Sequence, residues 1–174
     1  MENTSIIFNK IEKIVFLSTF EVDNFDPEYF IKKINDNIDN KLSYKTNVKN
    51  ERTDWKLFVD DQKFFNILNN LKDKLNFFNL KNIFLESAWG TKSQNYVETI
   101  PHDHNPAALC GILYLTENGP GTYFDDLKIN VSEKIGKICL FNGFTNHSVK
   151  KVKLLTDRYL ISFNFMALKS WDVY

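Results

Sequence analysis

The apolar positions of this chain change period once, near residue 83, and the change separates a helical front from a β-rich remainder. Ile14 to Val22 (IVFLSTFEV) is β-branched and aromatic and predicts a first strand. Asp26 followed by Pro27 predicts a helix start, a capping carboxylate and then a residue whose φ is already helical. Tyr29-Phe30, Lys33-Ile34 and Ile38 follow at helical spacing, which extends that helix over about 27–39. Asn40 to Asp54 is polar and reads as loop or irregular edge. After Asp60-Asp61, the three-four alternation of Phe64, Leu68, Leu71, Leu75 and Phe78 predicts a second amphipathic helix whose stripe packs on a sheet.

From Ile83 the pattern becomes short apolar runs between turns: IFLESAWG, NYVETI, AALCGILYLT, GTYFDD, LKINV, GKICLFNG, SVKKVK and RYLISFNFMAL. Asn118-Gly119-Pro120-Gly121 and Asn142-Gly143 mark turns. About eight short strands behind two helices predict a mainly β, α+β fold, a jelly roll or barrel with flanking helices. The expected organisation is one domain over 1–174, with helical support over about 1–80 and a β core over about 83–168.

Composition narrows the function classes. At 174 residues, with 43% hydrophobic and 25% charged residues, the chain suits one globular domain and not a disordered segment. The formal net charge of zero gives no nucleic-acid signal and no attraction to an anionic membrane. No apolar run approaches the roughly 20 residues of a membrane span, and the start (MENTSIIFNKIEK) lacks the features of a signal peptide. Cys110 and Cys139 lie in apolar runs and read as core filler in a reducing compartment. The expected location is the cytoplasm.

The candidate chemistry rests on few residues. The only histidines are His102, His104 and His147. On an extended strand, positions i and i+2 project from one face about 6–7 Å apart, so His102 and His104 can converge on one ion. His147 follows a turn at the start of a strand, and a rolled β-sandwich makes neighbours of strands far apart in sequence. The bland alternative is three unrelated surface or hydrogen-bonded histidines. The only arginines are Arg52 and Arg158, and arginine alone offers a rigid bidentate fork for a carboxylate. Arg158 opens the last long apolar strand, where a cation is costly unless an anion meets it. That anion is either a carboxylate ligand or an edge partner such as Asp157 or Asp125.

The ordered combination of these segments resembles a known family. His102-Asp103-His104, then GILYL (Gly111 to Leu115), GTYF (Gly121 to Phe124), FNGFTNH (Phe141 to His147) and RYLISFN (Arg158 to Asn164) resemble the 2-oxoglutarate/iron(II) oxygenases common in marine bacteria and phages. They belong to the prolyl-hydroxylase-like double-stranded β-helix superfamily. Trp89-Gly90 and the Thr53-Asp54-Trp55 lead-in are similar as well, so the likeness spans roughly residues 50–166.

The resemblance implies a double-stranded β-helix (cupin-like jelly roll) and a non-haem iron(II) dioxygenase, an oxidoreductase that hydroxylates its substrate using O2 and 2-oxoglutarate. Carried over by position, it makes His102, His104 and His147 the catalytic iron ligands and Arg158 the anchor of the cosubstrate's distal carboxylate. Tyr114 becomes a second cosubstrate contact or a core residue, and Trp89 a wall of the substrate cleft or a core residue. Most of the superfamily has a carboxylate where His104 stands, giving a two-histidine, one-carboxylate triad. A local bulge would let Asp103 take that place. Two rivals remain: a cupin-type three-histidine metalloenzyme without 2-oxoglutarate, and a catalytically inactive binding module on the same scaffold. The substrate, a small molecule or a peptidyl residue, is not named by either pattern or resemblance.

Overall fold

The computed structural model describes residues 15–38, 50–76 and 83–168, the side chains of 72–76 excepted. The strand start expected at Ile14, most of the loop over 40–54, and the side chains of Leu75 and Phe78 lie outside the described residues.

Strand β1 (Leu17–Glu21) leads into helix α1 (Pro27–Asp36). The Asp26 side chain accepts the Tyr29 amide at 3.3 Å and Pro27 occupies the first turn, as the sequence predicts. The helix stops short of 39 because Asn37 closes it: its amide donates to the Ile34 carbonyl and its side chain to the Lys33 carbonyl at 2.9 Å. The polar stretch expected as loop or irregular edge carries a two-residue edge strand, β2 (Glu51–Arg52). Helix α2 (Gln62–Asn76) is capped by Asp61, whose carboxylate accepts the Phe64 amide at 2.9 Å.

The eight predicted strands follow: β3 (Ile83–Ser93), β4 (Tyr96–His102), β5 (Leu109–Tyr114), β6 (Thr122–Phe124), β7 (Ile129–Val131), β8 (Lys137–Asn142), β9 (His147–Lys153) and β10 (Arg158–Ala167). They form two antiparallel sheets, ordered β1-β8-β5-β10-β3-β2 and β4-β9-β6-β7. This is the jelly-roll arrangement that the short-strand pattern predicts.

β10 shows how the period of two organises the molecule. Tyr159, Ile161, Phe163 and Phe165 point to the helices and join Phe30, Ile34, Phe58, Phe64, Leu68 and Leu71 in the larger core. Each such fully buried side chain contributes about 1.5–3 kcal/mol of transfer free energy. The alternate residues Arg158, Leu160, Ser162 and Asn164 point the other way and line a cavity of about 250 Å³. The helices thus brace one face of the six-stranded sheet and leave the other for chemistry. Among the described residues no helix is long and apolar enough to cross a membrane.

Candidate active site

The cavity collects residues from both sheets: Thr99, His102, His147 and Val149 from β4 and β9, Trp89, Thr91, Leu160 and Ser162 from β3 and β10. All three histidines meet there. His102 and His147 are register partners across the β4–β9 pair, and their ring centroids lie 4.4 Å apart. His104 stands 5.1 Å from each. One ring nitrogen from each histidine lies within 4.8 Å of the others, so small side-chain rotations would gather them about one ion.

The convergence arises differently from the expected extended pair. β4 ends at His102, and His104 lies beyond it in a turn. There Asp103 accepts the Asn105 amide at 3.1 Å, and the His104 amide donates to the Gly143 carbonyl at 2.7 Å. Gly143 is needed for that approach, since a Cβ on it would lie 1.9 Å from the Ala107 carbonyl oxygen. The β4–β9 register does shift between Thr99 and His102, but this does not bring Asp103 into the cluster. Asp103 is exposed and held in its own turn, while His104 joins the cluster.

The ring orientations suit metal binding. His102 Nδ1 donates to the Ile100 carbonyl at 2.9 Å and His147 Nδ1 to the Thr145 carbonyl at 3.1 Å. A backbone acceptor on Nδ1 fixes the tautomer and leaves the Nε2 lone pair for a ligand bond. Burial lowers the His147 pKa to about 3, with the neighbouring histidines acting in the same sense. Burial, then His102, lowers that of His104 to about 4. Neutral imidazoles are the form a transition metal binds, and imidazole suits iron, zinc, copper and nickel. The donor set therefore fits a divalent transition metal, with three protein ligands and the remaining positions open to exogenous ones.

Arg158, 2% exposed, also lines the cavity. Its partner is neither Asp157, which pairs with Lys92 at 3.1 Å, nor Asp125. The Arg158 Nε donates to Glu133 Oε1 at 2.7 Å, and the Glu133 side chain is itself 1% exposed. The Arg158 Nη2 is buried and has no hydrogen-bond partner among the described residues. Tyr114 lies on β5 directly beside β10, opposite Leu160. It shares the face of Ile112 and Leu160, and its hydroxyl hydrogen-bonds the Thr122 hydroxyl at 2.7 Å, Thr122 being a cavity-lining residue. Burial, the largest influence, pushes the Tyr114 pKa up, so the phenol stays protonated.

Trp89 serves as both wall and core, since it is buried yet lines the cavity, edge-on to Trp55 at 4.5 Å and 6.2 Å from the His104 ring. Arg52 lines the same cavity from β2 with its guanidinium 3.9 Å from the Trp55 ring. Both cysteines are free and buried. Burial pushes their thiols up to about 12, which leaves them inert. Glu133, Thr122 and Arg52 are site residues that pattern reading did not assign. Arg52 alone gave a signal, as one of two arginines.

No family model matches the sequence, and no curated protein matches it. Solved structures do share the fold. A viral collagen prolyl hydroxylase from Paramecium Bursaria Chlorella virus-1, crystallised with 2-oxoglutarate, superposes with a TM-score of 0.64 at 15% identity, over 87% of this chain and 96% of that one. HygX from Streptomyces hygroscopicus, with nickel and 2-oxoglutarate bound, gives 0.62 at 12% identity, over 88% and 83%. A Pseudomonas putida prolyl-4-hydroxylase gives 0.59 at 11% identity, over 87% and 92%. The chain therefore has the double-stranded β-helix fold of these oxygenases. Fold alone does not carry activity, which has to be argued from the site.

Proposed function

We propose that the protein is an iron(II)- and 2-oxoglutarate-dependent oxygenase that hydroxylates a small molecule or a peptidyl residue. One observation carries the reading: three imidazoles converge on a cavity whose wall also holds a buried guanidinium with an unpartnered nitrogen. The solved structures of like fold that hold 2-oxoglutarate, one with nickel, support the choice of cosubstrate.

In this reading His102, His104 and His147 hold the metal, and the carbonyls of Ile100 and Thr145 fix two of the ring orientations. The bound iron supplies O2 activation coupled to oxidative decarboxylation of the cosubstrate. Arg158 grips the distal carboxylate through a charge-assisted hydrogen bond from Nη2. Thr122, positioned by the Tyr114 hydroxyl, is a cavity-lining hydroxyl able to assist it. Tyr114 thus acts on the cosubstrate through Thr122. Trp89, Trp55 and Ile112 exclude water from the reacting centre, which limits unproductive oxidation. The helices and both sheets act as a single domain, since one core joins α1 and α2 to β10 and a second joins β5, β8 and β10 to β6 and β7. Assaying aerobic succinate formation from 2-oxoglutarate tests this: iron-dependent release, abolished in His147→Ala and strongly reduced in Arg158→Met, is expected. Iron-loaded protein that forms none, with or without candidate substrates, would refute it.

One observation favours a rival. Arg158 already has a carboxylate on Nε, which a purely structural arginine would also show. A three-histidine metalloenzyme without cosubstrate then follows, and it predicts metal binding with no affinity for 2-oxoglutarate.

A further inference from the structure

We propose that Glu133 is the charge-setting residue of the cosubstrate pocket. On the Arg158 side it supplies the negative charge that a carboxylate ligand supplies at the metal of a two-histidine, one-carboxylate centre. The inference rests on the oxygenase reading above.

The charges of the loaded site lead to this assignment. A buried site tolerates little uncompensated charge. In a two-histidine, one-carboxylate centre, the ligand carboxylate offsets the cosubstrate-binding arginine, while the divalent metal offsets the dianionic cosubstrate. Here the three ligands are neutral, so with Arg158 alone one positive charge would be left over. Glu133 removes it. The other charged residues lining the cavity, Arg52 and Asp103, are of opposite sign.

The geometry is built for this role. Both Glu133 oxygens are engaged: Oε1 accepts from Arg158 Nε at 2.7 Å and from the Gly121 amide at 3.3 Å, and Oε2 accepts from the Gly119 amide at 3.0 Å. The carboxylate is thus fixed in place. A Cβ on Gly119 would sit 2.4 Å from Glu133 Oε1 and 2.6 Å from Arg158 Nε, so a larger residue there would displace the pair. With Nε occupied, the guanidinium is left with its Nη groups for the cavity, and Nη2 is the one without a partner. Glu133 is accordingly a positioning residue that also weakens anion binding.

The two effects of Glu133 differ in sign when its charge is removed at constant shape. Glu133→Gln keeps an oxygen for Arg158 Nε but removes a negative charge lying roughly 6 Å from a carboxylate on Nη2, and should tighten dianion binding by about tenfold or more. His104→Asp adds a negative charge at the metal and should weaken it. The double variant should return to within a few-fold of wild type.

The test titrates 2-oxoglutarate into nickel-loaded wild type, Glu133→Gln, His104→Asp and the double variant by calorimetry, with circular dichroism to confirm folding. Tighter binding in Glu133→Gln, and recovery in the double variant, is expected. Weaker or unchanged binding in a folded Glu133→Gln would overturn the inference alone and reduce Glu133 to a pin for the 119–121 turn. Wild type that takes up nickel but no 2-oxoglutarate would overturn the oxygenase reading and this inference together. If Glu133→Gln does not fold, wild type gives a second readout. It should prefer 2-oxoglutarate over its distal-amide analogue by no more than about tenfold, because Arg158 is already compensated. A preference of about a thousandfold would contradict that.

Discussion

Replacing Arg158 by methionine keeps most of the side-chain volume and leaves Glu133 buried without its cation. Removing one partner of a buried ion pair costs about 3–5 kcal/mol, because the remaining charge is desolvated and uncompensated. Here the Gly119 and Gly121 amides still donate to Glu133, so the lower end, about 3 kcal/mol, is expected. For a domain of this length that corresponds to a fall in Tm of about 6–12 °C. Arg158→Met/Glu133→Gln removes both charges and should recover part of the loss, giving a coupling energy of about 1.5 kcal/mol or more in a double-mutant cycle. Urea denaturation followed by far-ultraviolet circular dichroism measures all four corners. Losses that add within about 0.5 kcal/mol, or an Arg158→Met that costs under about 1 kcal/mol, would show the pair to be solvated, and the reasoning from buried charge would fail.

Other expectations follow from the same structure. Asp61 caps α2 and also accepts from Tyr29 and Lys33, so Asp61→Ala should cost about 2–4 kcal/mol in chemical denaturation. Burial raises the Asp61 pKa, but Lys33, the Phe64 amide and Tyr29 outweigh it and leave the folded value below the ordinary one. Its contribution is therefore present above roughly pH 5 and lost as pH falls through the depressed folded value, a slope that Asp61→Asn should flatten in acid-denaturation curves. Phe163→Ala empties the contact between α2 and β10 and should cost about 3–5 kcal/mol; under about 1 kcal/mol would mean that core is not close-packed. Gly143→Ala should push the His104–Ala107 turn away from residue 143 and weaken nickel binding about tenfold or more in a calorimetric titration, whereas unchanged affinity would detach that turn from the metal site.

How much was legible in the sequence depends on whether the signal was local. The strands were readable because alternation within a run, as in RYLISFNFMA, is written by one strand's two faces. The start of α1 was readable because Asp26-Pro27 acts on its own first turn, and the end was misplaced because Asn37 supplies a cap where periodicity still favoured helix. The histidine cluster was legible in outline from residue type and spacing, but its geometry was not. His147 meets His102 through a β4–β9 register, and His104 is delivered by a turn rather than by strand alternation. The partner of Arg158 was not legible at all. Glu133 lies 25 residues away on the connection between β7 and β8, in a VSEKIG stretch that reads as ordinary polar loop. Tyr114 was correctly set beside the Arg158 strand, and alternation in β5 puts it on the same face as Ile112 and Cys110, but its hydroxyl is taken up by Thr122.

The central claim is that three imidazoles bind one iron(II) to which 2-oxoglutarate adds as a further ligand. Mixing the protein anaerobically with iron(II) and 2-oxoglutarate and recording the visible spectrum tests it most directly. A metal-to-ligand charge-transfer band that needs both additions, and that disappears in His147→Ala, is the expected result. A wild-type spectrum indifferent to 2-oxoglutarate, or a band undiminished in His147→Ala, would contradict the account.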